Sequence, residues 1–433
     1  MHATLSLNML SVIKTNCMKK NNQRILWQIF IVMGIVLLFS ACSKDTTNKL
    51  TKTYIIYSPV YKAKSAVLAA INGSASQSIE HAGKIYIKDN FIYLNEVNKG
   101  IHIIDNSNKA RPVQIAFLSI PGNLDIAIKG NTLYADMYSD LLALDITDIR
   151  HVKISSTINN FFTGRVYVNG HSANLDDKIA VDWTQKDTTV AIDEVPDNCN
   201  FCELDLASAN GAKAATGVAG SMAGMVLMND YLYAITEMHS VGIVDISNAA
   251  SPKLESNFFA GFDLQTIFPF QNKLFLGSAV GMFMYDVSNP KQPVSLGEFT
   301  HGRACDPVIT DGNYAYVTLH AGDGCGGNVN ALHVIDVKDL LHTALVKTYE
   351  LTKPTGLCKD GNLLFICDNT AVKVYNAANP GKLQLLQQIP SKEPYDIIAA
   401  DHKAMVVSNN GLYQYDYSNV NNIRLLSFLP TKK

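Results

Sequence analysis

From residue 83 onward, apolar and polar positions alternate in short runs, each closed by a polar turn, and the runs recur at a fixed spacing. Seven of them end alike: IHIID (101–105), LLALD (141–145), VGIVD (241–245), MFMYD (282–286), LHVID (332–336), VKVYN (372–376) and LYQYD (412–416). Their closing residues, Asp105, Asp145, Asp245, Asp286, Asp336, Asn376 and Asp416, are 40, 100, 41, 50, 40 and 40 positions apart. Alternation at period two predicts strands. A spacing near 40 is one supersecondary unit repeated.

Each unit has its own grammar. A first strand, a Gly/Asn/Asp turn and an aromatic-rich second strand precede the Asp motif, as in GMVLMNDYLYA (224–234), DPVITDGNYAYV (306–317) and TGLCKDGNLLFI (355–366). Asp311-Gly312 and Asp360-Gly361 are hairpin chemistry, because Gly accepts the positive φ of tight turns. The Asp motif is the third strand, and DISNAASP (245–252) or DVSNPKQP (286–293) makes the turn to a fourth, such as VSLGEF (294–299). There the short Asp and Ser side chains bond backbone amides, which explains the Asp structurally. Four antiparallel strands per unit of this length make a β-propeller blade, so the chain is expected to be all-β with seven blades. Val, Ile, Tyr and Thr at period two argue against a helical solenoid. The alternative is eight blades, with TTVAID (188–193) closing a degenerate unit inside the long interval.

No repeat ends in the Trp-Asp of WD blades. The Asp-terminated strand followed by Ser-Asn-Pro instead resembles the LVIVD-repeat family of bacterial extracytoplasmic propellers, over residues 83–433. Asn376 and the mid-strand Gln414 depart from that pattern. The resemblance implies a binding or scaffolding propeller and carries no catalytic residues with it.

The first 42 residues read as an address. MKKNNQR from Met18, the apolar ILWQIFIVMGIVLLF (25–39) and Ser40-Ala41-Cys42 form a basic, then apolar, then small-residue signal peptide. The true start is expected at Met18. The end resembles a lipobox, which implies a lipidated Cys42, an outer-membrane lipoprotein and a periplasmic or surface-exposed body. An uncleaved membrane anchor is the other reading, although the run is short for a span of about 20 residues. Residues 43–53 have a tether's composition, and 54–82 is expected to pack on the propeller. With 36 basic against 38 acidic residues and no basic run beyond the leader, nothing marks a nucleic-acid partner.

Function is sought where the spacing breaks. The inserts, at about 159–222 and at 320–330, both fall on connections that emerge at one end of an up-down ring. That face is the candidate site, against the plainer reading of a stabilising cap. Aligning the first strands places Lys84, Asp125, Gly224, Thr266, Pro307, Gly356 and Asp396 at equivalent positions near the channel. Lys84, Asp125 and Asp396 come from neighbouring blades and are the ligand-binding candidates, with Thr266 and with His301, His320 and Asp323 at the small insert. A structural ion-pair ring is the competing reading. Cys305–Cys325 and Cys199–Cys202 are the expected disulfides; no second CxxC or His pair stands at zinc spacing, so neither a metal nor a cofactor is expected. Cys358 and Cys367 are expected as buried free thiols, with Cys358 facing Leu363 and an offset of about 13 Å along the strand. No GxSxG or HExxH occurs. The expected function is a non-enzymatic module for an envelope protein or polysaccharide; the alternative is a hydrolase or lyase at the Lys84, Asp125 and Asp396 mouth.

Overall fold

The structure, a computed structural model, describes residues 51–191, 221–222, 224–304, 307–322 and 327–432. The chain divides into two compact units, 1–54 with 188–197, and 55–187 with 198–433. In the first, only the strand ends 51–54 and 188–191 fall among the described residues. The second holds seven four-stranded antiparallel sheets, each built from four consecutive strands. Blades 1 and 2 start at Ala82–Lys88 and Ile126–Lys129, blades 3, 4 and 5 at Met225–Met228, Leu264–Phe270 and Val308–Thr310, and blades 6 and 7 at Pro354–Asp360 and Pro394–Ala400.

The repeated Asp does the same work in every blade. Its Oδ1 accepts the N–H two residues on: Ser107 for Asp105, Thr147 for Asp145, Ser247 for Asp245, Ser288 for Asp286, Lys338 for Asp336, Ala378 for Asn376 and Ser418 for Asp416, all at 2.7–3.0 Å. Asn376 fits because a carboxamide oxygen accepts as well as a carboxylate. A β-bulge follows the same beat, one or two residues before the Asp where the third strand pairs the fourth, in all seven blades. Such bulges add the twist that a radial blade needs.

The apolar core lies between blades. Ile85, Ile92 and Leu94 of blade 1 pack on Ile398, Met405 and Val407 of blade 7, which closes the ring without exchanging a strand. The mid-strand Gln414 belongs to this seam: buried, it donates to Asn106 Oδ1 of blade 1 at 2.8 Å and to Ser427 at 3.0 Å. The Tyr395 hydroxyl donates to the Ala82 and Gly83 carbonyls across the same joint.

Outside the blades, Thr51–Ala63 and Lys178–Ala191 pair as a two-stranded sheet, and no eighth four-stranded sheet occurs among the described residues. A short Ala-rich helix, Lys64–Ala70, buries Val67, and Ser74 bridges Phe117 on the outer strand of blade 1. Phe161, Phe162, Ile179 and Ala180 of the large insert join the core of blades 1 to 3.

One register differs from expectation. Asp360 pairs Leu363, so Gly361-Asn362 is the turn and Cys358 faces Phe365 rather than Leu363. Cys358 and Cys367 are therefore two residues out of register, about 7 Å apart along the strand. They remain buried free thiols, and burial raises the Cys358 pKa.

Candidate functional site

The first strands carry Lys84, Asp125 and Asp396 to the inner edge of three adjoining blades, where all three are buried at 0, 6 and 0 % exposure. Lys84 Nζ donates to Asp125 Oδ2. The Gly224 N–H donates to the same oxygen at 3.2 Å, and the Ile126 N–H to Oδ1 at 3.1 Å. Glycine at 224 leaves room for this carboxylate, since a Cβ there would lie 2.9 Å from Asp125 Oδ2. Asp396 adds its field to Lys84 and accepts the Ile397 N–H at 3.0 Å.

The large insert seals this interior. Arg165, from its first turn, donates to Asp136 Oδ2 and, at 2.5 Å, to the Gly122 carbonyl. Asp136 Oδ1 in turn accepts the Leu124 and Asp125 N–H groups at 2.9 and 2.7 Å and Asn123 Nδ2 at 2.8 Å. At the insert's other end, the buried Ser221 hydroxyl accepts the Leu357 N–H of blade 6 at 2.8 Å, immediately before the chain enters blade 3. Dehydration dominates the electrostatics. It lowers Lys84 to about 8 despite the two carboxylates, raises Asp125 against the pull of Lys84, and lowers Arg165 to about 10. The arrangement is a buried, hydrogen-bonded cluster of opposite charges.

Open space lies above it. A cavity of about 570 Å³ opens on the face where the second-to-third turns and the blade-to-blade connections emerge, over blades 6, 7 and 1. None of Lys84, Asp125 and Asp396 lines it. Each of the three blades instead contributes a matched pair: His81 with Asn98, Lys353 with Asn369, and Glu393 with Asn409. His81, Lys353 and Glu393 sit three residues before Lys84, Gly356 and Asp396, and each Asn sits seven before its repeat's Asp or Asn. Glu80, Thr355, Tyr395 and Ser408 complete the polar wall. Sequence reasoning missed these residues, although an Asn at one phase of three repeats was a usable signal.

The remaining candidates scatter. Thr266 is buried at the matching place in blade 4. His301 faces His333 with ring centroids 6.1 Å apart, whereas His320 lies toward Lys353, and burial lowers its pKa first, that lysine second. Asp323, Cys42 and the pairs Cys199–Cys202 and Cys305–Cys325 lie outside the described residues, as does the leader. The face also carries an exposed apolar patch of Met238, Phe259 and Phe262, at 58, 58 and 59 % exposure, around His239. Among the described residues no helix is long and apolar enough to cross a membrane.

Residues 80–116 and 219–259 match the LVIVD repeat. No curated protein matches the chain. Among solved structures, the periplasmic gluconolactonase PpgL of Pseudomonas aeruginosa is 10 % identical with a TM-score of 0.52, over 88 % of this chain and 98 % of that one. A protein from Lactobacillus plantarum is 12 % identical with a TM-score of 0.51, over 88 % and 97 %. The computationally designed Ika8 protein is 9 % identical with a TM-score of 0.51, over 83 % and 92 %. At such identities the likeness is one of fold. The chain is a seven-bladed β-propeller that carries LVIVD repeats.

Proposed function

We propose that the chain is a lipid-anchored, extracytoplasmic binding module, without catalysis of its own, that seats an envelope polysaccharide in the cavity over blades 6, 7 and 1. One observation carries this reading: the converging charges are sealed inside, while the open cavity is walled by carboxamides, hydroxyls, one imidazole, one ammonium and carboxylates. Groups that donate and accept, set beside the apolar surface of Ala82, Val97, Leu124 and Pro394, suit a hydroxyl-rich ligand that also presents C–H faces. The side chains of Asn98, Asn369 and Lys353 make no hydrogen bond to protein, so they meet a ligand at little cost. A hydrolase or lyase would need Lys84, Asp125 and Asp396 in an open pocket, and their burial weighs against it. The exposed Met238, Phe259 and Phe262 patch on the same face favours a protein partner as the second reading.

The lipobox-like Ser40-Ala41-Cys42 supports the anchor and an outer-membrane address. Labelled palmitate incorporation that disappears in Cys42→Ser tests it. For the ligand, the detergent-solubilised full chain is screened on a glycan array and against envelope-protein extracts. Glycan binding weakened about tenfold by Lys353→Ala/Asn369→Ala supports the cavity, at about 1.4 kcal/mol for lost polar contacts. Capture of envelope proteins with no glycan bound, sensitive to Phe262→Ser, selects the second reading.

A further inference from the structure

Blade 1 carries a second constellation at the edge of the same cavity. One ligand atom each from Glu80, His81 and Glu96 lies within 4.8 Å of the others. Glu80 and His81 are exposed and line the cavity, while Glu96 is 2 % exposed at the end of Phe91–Glu96. The Glu96 carboxylate is fixed from three sides. Its Oε2 accepts the Glu80 N–H at 3.0 Å, its Oε1 accepts the His81 N–H at 2.5 Å, and His102 Nε2 sits 2.9 Å from Oε2. His81 Nδ1 stands 3.9 Å from Glu96 Oε1.

Two further observations point to a cation. His102 is wholly buried with Nδ1 unpartnered, a cost of about 1–3 kcal/mol borne by a residue that packs on Phe117 and orients Glu96. A buried partner that orients a ligating group is the usual support of a metal ligand. In addition, the chain places its own cation here: Lys99 Nζ lies 2.5 Å from Glu80 Oε2. The Glu80 and Glu96 carboxylates thus act on an ammonium that is half exposed and held by one contact, to Glu80.

We propose that Glu80, His81 and Glu96 form a three-ligand site for a divalent transition-metal cation of the zinc class, with its remaining positions open to the cavity. The imidazole selects against Mg²⁺ and Ca²⁺, which prefer oxygen donors throughout. Three protein ligands leave room for an outside oxygen donor, such as a hydroxyl of a ligand in the cavity.

The test is isothermal titration of the full chain with ZnCl₂ and, separately, MgCl₂, followed by Co²⁺ binding read from its visible absorption. The site predicts one Zn²⁺ per chain, no Mg²⁺ heat, and Co²⁺ bands that vanish in His81→Ala. Glu80→Gln and His81→Ala, both at exposed positions, weaken Zn²⁺ by about tenfold or more with an unchanged melting temperature. Lys99→Met removes the competing ammonium and tightens it. Absence of Zn²⁺ heat, wild-type affinity in His81→Ala, binding lost only in Cys199→Ser/Cys202→Ser, or weaker binding in Lys99→Met overturns the proposal. The titration uses metal alone, so its outcome is independent of whether a glycan binds.

Discussion

Replacing Lys84 by Met tests whether the sealed charges are structural. The methionine keeps the length and apolar stem but strands Asp125 and Asp396, both buried, beside an empty ammonium position. Removing one partner from a buried pair costs about 3–5 kcal/mol. The shift of Lys84 from 10.5 to about 8 gives a cross-check. At ~1.4 kcal/mol per pH unit, dehydration outweighs the carboxylates by about 3 kcal/mol, so the cluster is costly to build and costlier to break. With ~2.1 cal/mol/K of unfolding entropy per residue, a loss of about 4 kcal/mol lowers the Tm of the seven blades by roughly 5 °C. Calorimetry of wild type, Lys84→Met and Lys84→Met/Asp125→Leu reads this. The double variant recovers part of the loss, since apolar replacement of the buried Lys84–Asp125 pair is near neutral while Asp396 still lacks the lysine's field. The pH dependence supplies a sign. Between about pH 8 and 10.5 the unfolded chain holds a proton on Lys84 that the native state lacks, so this lysine makes stability rise with pH there. That rise is absent in Lys84→Met. A Tm within 1 °C of wild type for Lys84→Met refutes the reasoning, because it means that water reaches Asp125.

Three further outcomes follow from the same geometry. Gln414→Leu breaks the seam bond to the buried Asn106 and costs about 1–3 kcal/mol, read by urea unfolding, whereas Gln388→Leu at an exposed position on the outer strand of blade 6 costs little. The repeat aspartates have lowered pKa values, from the hydroxyl or ammonium two residues on and then the amide there, with Asp416 at about 2. A depressed carboxyl stabilises above its unfolded value and loses that contribution as pH falls through the folded one. Tm therefore drops below about pH 3.8, and combined Asp→Asn changes flatten the drop by removing that contribution at neutral pH while keeping the turn, as Asn376 does. Finally, Cys358 and Cys367 resist a thiol reagent in the native protein and react only on unfolding; labelling of either at native rates contradicts their burial.

The blades were legible because every repeat states its strands twice, by alternation and by turn chemistry, and the Asp that closes each third strand bonds the amide the pattern demanded. The convergence of Lys84, Asp125 and Asp396 was legible too, since equivalent positions in first strands must meet at one edge. Their burial was not. It depends on Arg165 and Ser221, two insert residues with no repeat partner, and a long-range contact such as Ser221 to Leu357 leaves no local trace. The Cys358 register slipped by two because Asp360-Gly361 and Gly361-Asn362 are both good turns, and pairing along the whole hairpin chose the second. Cavity residues escaped notice because Asn98, Asn369 and Asn409 read singly as ordinary turn formers; their meaning lies in recurring in three adjoining blades. Gln414, a departure from the repeat pattern, adds a buried hydrogen bond to the seam that closes the ring.

The most direct measurement compares the cavity with the sealed charges on one glycan found by the array. Affinities are determined for wild type, Lys353→Ala/Asn369→Ala and Asp396→Asn, each checked for folding by calorimetry. The account predicts about a tenfold loss in the first variant and wild-type affinity in the second. Binding that survives the cavity variant and disappears in folded Asp396→Asn protein would contradict it, and would return function to the channel.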